Sequence, residues 1–183
     1  MFAASLEGLD MRWTLSINSL HSHFTDQMWI LFSNIPIWSV LYVTVIVLMF
    51  RRLGWKRALL MTAATALCIV CVDQSCNFVK ESVARLRPCN DQRMIDAGLR
   101  MLTGASQRHP YGFFSGHAGN AFAFAVCSLT ALRCDIRQKW RGYAAGIFFW
   151  ASMVSASRIF VGKHYLGDIV IGALAGSLLA LMV

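Results

Sequence analysis

The apolar residues of this chain come in runs long enough to cross a bilayer, and nothing else in the sequence restricts its fold as strongly. A helix needs about 20 predominantly apolar residues to span the hydrocarbon. Five stretches come near or above that length: 28–50, 58–79, 117–132, 142–159 and 165–183. Asn34 and Pro36 are expected to kink or shorten the first. In 183 residues, 57% hydrophobic and only 14% charged, there is too little interior to hide so much apolar surface from water. Leu6, Leu9, Met11, Trp13, Leu15, Ile17 and Leu20 form a mixed apolar stripe ahead of the first run. We read residues 1–27 as an interfacial helix, with a sixth span as the alternative. The expected fold is therefore all-α, a polytopic transmembrane helical bundle of about five spans in a single domain, 1–183. Residues 28–79 carry spans one and two, 80–116 form one long polar loop, and 117–183 carry spans three to five.

Seventeen basic residues oppose nine acidic ones, for a net charge of +8. The basic residues sit in short clusters between apolar runs, which argues for lipid phosphate and against nucleic acid. Arg51, Arg52, Lys56 and Arg57 follow the first run, and Arg133, Arg137, Lys139 and Arg141 follow the third. Alternation puts both loops on one side, expected to be the cytoplasm. The long loop also carries Lys80, Arg85, Arg87, Arg93, Arg100 and Arg108. So many cations on the far side call for another job, and an anion site supplies one.

The same alternation gathers the chemistry-bearing residues at that far end. Lys80 and Arg87 close span two, and Arg87 offers a guanidinium fork beside an ammonium point charge. Ser115 is placed to cap span three, Gly116 lets an oxyanion approach backbone N–H groups, and His117 stands one step on. Arg158 ends span four. His164 and Asp168 are four apart, so they share a helix face. A carboxylate there can fix the tautomer of the imidazole and leave the other nitrogen free to attack. Asp168 lies in an apolar run, where ionisable groups are functional by default.

Lys80-x6-Arg87-Pro88, Ser115-Gly116-His117 and Ser157-Arg158-x5-His164-x3-Asp168 occur in that order. Together they resemble the three motifs of the type 2 phosphatidic acid phosphatase (PAP2) family, related to the vanadium haloperoxidases. Phe114 stands where the second motif usually has proline. The resemblance implies a membrane lipid phosphatase with a phosphohistidine intermediate. His164 would be the nucleophile, Asp168 its orienting partner and His117 the acid for the leaving oxygen. Lys80, Arg87, Arg158, Ser115 and the Gly116 N–H would hold the phosphate. It implies no metal and no cofactor, and the sequence holds no HExxH or Cys/His ligand spacing. Candidate substrates are undecaprenyl diphosphate, phosphatidylglycerol phosphate, phosphatidic acid and lipid A phosphate. The expected setting is the inner (plasma) membrane, with the site facing the periplasm or exterior and residues 89–113 shaping headgroup choice.

Two other functions fit less well. A lipid-to-lipid phosphotransferase would use the same phosphohistidine. A transporter or scaffold would place polar groups at the midplane of several spans, whereas here they cluster at one end. Asp73, Gln74 and Asn77 are expected to tie helices together. Gly142-x3-Gly146 and Gly172-x3-Gly176 are expected to mark close helix packing. Cys68, Cys71, Cys76 and Cys127 read as buried thiols and Cys89 as a polar-loop residue; the sequence does not fix the oligomeric state.

Overall fold

A computed structural model describes residues 2–102 and 109–183, with side chains from Leu6 onward. Arg108 lies outside the described residues. The helices are α1 (Phe2–Asn18), α2 (His23–Ser33), α3 (Ser39–Leu53), α4 (Trp55–Val83), α5 (Gln92–Asp96), α6 (Gly116–Arg133), α7 (Arg141–Phe160) and α8 (Leu166–Met182). No strand occurs among the described residues. The protein is an all-α membrane bundle, with α3, α4, α6, α7 and α8 in the places of the five expected spans.

The expected first span, 28–50, is broken. The chain leaves α2 at Asn34, makes a 3-10 turn over Ile35–Trp38 with Pro36 in it, and re-enters helix as α3. The apolar stretch that can cross starts at Ile35 and ends at Leu53. Pro36 has no N–H to donate and its ring crowds the preceding turn, so one run becomes two helices. Freed from the span, α2 lies on α7, where Trp29 stacks on Phe160 with ring centres 4.1 Å apart.

α4 has 29 residues, roughly 43 Å of helix against about 30 Å of hydrocarbon. Its surplus turns carry Lys80 beyond the apolar core. The bundle centre is α6, bordered by α4, α7 and α8. Gly172 and Gly176 let α8 touch the α6 backbone: a methyl group on Gly176 would collide with the Gly119 carbonyl, and one on Gly172 with the Ser115 carbonyl. Gly142 and Gly146 have open space in front of them, so that second pattern does not mark packing within the chain. Cys68 and Cys76 are buried as expected, but Cys71 faces outward, and Cys89 is buried rather than exposed in its loop. The short turn Pro88–Asn90 folds Cys89 inward.

At one end of the bundle, Asp135 draws in Arg137 (3.0 Å) and Arg52 (3.9 Å). The ends of α3 and α6 therefore meet, as alternation requires. At the other end α1 departs from a purely interfacial helix. Leu6, Leu9 and Trp13 are exposed along one face, while Thr14 and Asn18 are fully buried against the bundle. Asn18 donates to the Ile159 carbonyl (2.8 Å) and accepts from Arg100 N (2.8 Å). The N-terminal acids also absorb the surplus cations of the long loop. Arg93 pairs with Glu7 (2.8 Å), Arg100 with Asp26 (2.7 Å) and Arg85 with Asp10 (2.7 Å).

Candidate active site

α4 stops at Ala84, which takes a left-handed conformation (φ 50°) and turns the chain back over the bundle. Residues 85–87 then run beside 110–112: Arg87 N donates to the Pro110 carbonyl (2.9 Å) and Gly112 N to the Arg85 carbonyl (2.8 Å). This pairing aims the two arginines inward. Gly112 packs tightly on the Arg87 and Asp168 side chains, so a Cβ would crowd both. Below it, Ser115 caps α6 by accepting from Ala118 N, and Ser115 N donates to the Asp168 carbonyl (2.9 Å). The starts of α6 and α8 are thereby tied together.

Lys80, Arg87, Gly116, His117, Arg158 and His164 line one cavity of about 390 Å³. Six of the eight expected site residues thus converge, from the ends of four helices. Ser115 and Asp168 do not line it. The Ser115 hydroxyl is fully buried as a helix cap, and Asp168 is fully buried behind His164. In this geometry Ser115 acts on α6 and presents no free hydroxyl to a ligand.

His164 is the pivot. Its Nε2 lies 3.3 Å from Arg87 Nη1, and its Nδ1 lies 3.4 Å from Asp168 Oδ2 without hydrogen-bond alignment. Guanidinium can only donate, so Nε2 is the acceptor nitrogen and Nδ1 carries the proton. Burial first, then the positive charges of Arg158, Arg87 and Lys80, holds the His164 pKa well below its usual value. That direction favours the neutral ring that a nucleophile needs. Arg158 donates to the Ser33 hydroxyl from α2, while its Nε has no partner. Its fork is fixed on one side and available on the other.

Sequence reasoning missed the support behind Asp168. Arg85 Nη1 donates to Asp168 Oδ1 (3.0 Å), and Tyr165 N donates to Oδ2 (3.0 Å). The other arm of Arg85 reaches Asp10 Oδ2 (2.7 Å), and Asp10 Oδ1 accepts from Gly167 N (2.8 Å). Arg85 also lies over the Tyr165 ring, 3.9 Å from its centre, and the Tyr165 hydroxyl donates to Asp91 (2.9 Å). α1 thus clamps the start of α8 through one arginine. The sequence signals were the acids of α1 and a third arginine beside Arg87, but nothing local joins them.

Arg85→Met is expected to leave Asp168 buried beside an empty place. Breaking a buried pair costs about 3–5 kcal/mol, so the melting temperature in detergent should fall and kcat with it. Arg85→Lys should recover only part, because an ammonium cannot span both carboxylates. Wild-type melting and rate in Arg85→Met would refute the clamp.

The PAP2 superfamily profile matches residues 55–183. The chain belongs to the PAP2 superfamily. A Bacteroides thetaiotaomicron protein named Lipid A 4'-phosphatase is 35% identical over 172 residues, covering 93% of this chain and 73% of that one. A Porphyromonas gingivalis protein of the same name is 28% identical over 163 residues, covering 88% of this chain and 66% of that one. Two solved structures share the fold. The transmembrane PAP2 type phosphatidylglycerolphosphate phosphatase from Bacillus subtilis superposes with a TM-score of 0.69 at 19% identity, covering 97% of this chain and 84% of that one. Aquifex aeolicus LpxE superposes with a TM-score of 0.69 at 22% identity, covering 95% and 93%. The expected PAP2 resemblance and transmembrane bundle are both borne out, and this PAP2 protein is a membrane phosphatase.

Proposed function

We propose that this PAP2 protein removes phosphate from a lipid by covalent catalysis at His164. One observation carries the reading: a buried imidazole whose Nε2 faces a cation-lined cavity while a carboxylate stands behind its Nδ1. Nε2 attacks phosphorus, the bond from phosphorus to the lipid oxygen breaks, and His117 gives that oxygen its proton. Lys80, Arg87, Arg158 and the N–H groups opening α6 stabilise the charge on the equatorial oxygens. Water then attacks the phosphohistidine. His117 takes a proton from it, the P–N bond breaks, and inorganic phosphate leaves.

The substrate we favour is a lipid A phosphate, supported by the names of both curated relatives. The basic clusters at the Arg52–Asp135 end support a cytoplasmic placement of that end. The site then faces the periplasm from the inner membrane. Colorimetric phosphate release by the purified protein in detergent tests the reaction, with lipid A, phosphatidic acid, phosphatidylglycerol phosphate and undecaprenyl diphosphate as substrates. Failure on all four would overturn the phosphatase reading for this cavity.

The cations assigned to the phosphate lead to a further prediction. EDTA should leave the rate unchanged, and vanadate should inhibit, since it can adopt the five-coordinate geometry of the transition state and analogues of that state bind tightly. Loss of activity in EDTA, restored by magnesium, would contradict the mechanism.

A further inference from the structure

The cavity is graded along its length. Along α4, α6 and α7 the cations and His117 sit near the helix ends, and Ile69, Phe124 and Val154 lie one to three turns deeper. Between them stand Asp73 and Asn120, which neither the phosphate site nor the apolar wall explains. Asp73 is seven residues before Lys80 on the same face of α4, roughly 10 Å deeper along the helix. A carboxylate there cannot help bind phosphate, because it repels it.

Asn120 Nδ2 donates to Asp73 Oδ1 at 2.8 Å. A carboxylate only accepts, so this bond fixes the amide with its carbonyl oxygen pointing elsewhere. That oxygen, Asn120 Oδ1, is buried without a partner. Among the described residues, no donor is paired with the second oxygen of Asp73 either. Two acceptors without donors therefore lie between the phosphate end and the apolar end. A buried acceptor such as Asn120 Oδ1 is costly unless something donates to it, and the Asp73 carboxylate is exposed and free to accept from a ligand.

We propose that Asp73 and Asn120 form a specificity subsite that accepts hydrogen bonds from the headgroup of the substrate, just inward of its phosphate. The matching ligand carries hydroxyl or amide N–H groups between phosphate and acyl chains. A phosphorylated, acylated amino sugar has both. A phosphatidic acid has only ester oxygens there, and a polyprenyl diphosphate has its second phosphate there, an ionised group that offers acceptors and no donor. The inference rests on this cavity being the phosphatase site and narrows what that site prefers.

The test is the ratio of kcat/KM on lipid A to kcat/KM on phosphatidic acid, measured with the full chain in detergent micelles. This ratio does not depend on how much protein is folded, so a destabilised variant still gives an answer. Asp73→Asn and Asn120→Ala should each lower it about tenfold or more, the range for a lost hydrogen bond to a charged group or an orphaned buried partner. Their combination should fall short of the product of the two, because the residues share one contact. An unchanged ratio, with both activities falling together, would overturn the subsite and leave the pair as a tie between α4 and α6. So would a wild-type enzyme that hydrolyses phosphatidic acid and ignores lipid A, while the phosphatase reading would survive. Inactivity on lipid A while another lipid phosphate is hydrolysed would overturn the subsite alone, and inactivity on all of them would remove the reading on which the proposal rests.

Discussion

Replacing His164 by alanine is expected to abolish turnover, by about 10⁴-fold or more, the scale on which covalent enzymes lose rate when the nucleophile goes. The geometry leaves no substitute. His117 lines the same cavity, but it opens α6 and has no carboxylate assigned behind it. A ring placed to donate a proton is poorly placed to attack from the opposite side. Because His164 is buried, alanine also leaves a void, so His164→Asn serves as a size-matched companion. Both should elute as monodisperse protein and both should be inactive. Rapid acid-free quenching with labelled substrate should trap an acid-labile, base-stable phosphoenzyme in the wild type and none in either variant. A His164→Asn enzyme with near-normal kcat would remove the covalent mechanism.

His117→Ala should cost about 10²–10⁴-fold, the range for general acid–base catalysis, but only on substrates with a poor leaving group. The oxygen leaving a lipid phosphate is an alkoxide unless it is protonated during bond breaking. An aryl phosphate with an acidic phenol leaves without help. The deficit in kcat/KM, which reports transfer of the phosphoryl group to the enzyme, should therefore shrink strongly between lipid A and p-nitrophenyl phosphate. The phosphoenzyme should then accumulate with the aryl substrate, since its breakdown still needs the base. Equal losses on both substrates, with no accumulation, would show that His117 only helps bind phosphate.

Much of this was legible before any coordinates. Lys80, Arg87, His117, Arg158 and His164 stand out because each ends or opens an apolar run, and alternation of the runs brings those ends together. What local pattern could not supply was tertiary pairing. Arg85 meets Asp10 across 75 positions and Asp10 meets Gly167 across 157, so neither leaves a periodic trace. Ser33 lies in what reads as one continuous span, and only the break at Pro36 frees α2 to bring it to Arg158. Asp73 was readable as a helix tie, and its bond to Asn120 fits that reading. The acceptors left over became visible only once the cavity was placed. The two glycine patterns look alike in sequence, yet only Gly172 and Gly176 face a neighbour. Spacing names a helix face without saying what lies opposite.

The docking of α1 on α8 also sets an order of assembly. α1 is the earliest of the described helices to leave the ribosome and α8 the last. Yet Thr14 accepts from Leu166 N (3.0 Å) and Asp10 from Gly167 N (2.8 Å). α1 can meet Arg93 and Arg100 of the long loop early, but its contacts with α8 must wait for the insertion of every span between. His164 and Asp168 arrive with the same late segment. A half-inserted chain holds Lys80 and Arg87 but neither the proposed nucleophile nor a closed clamp. On the proposed mechanism it can neither form the phosphoenzyme nor release phosphate from a lipid, and activity switches on only when α1, the first of the described helices, closes onto α8, the last.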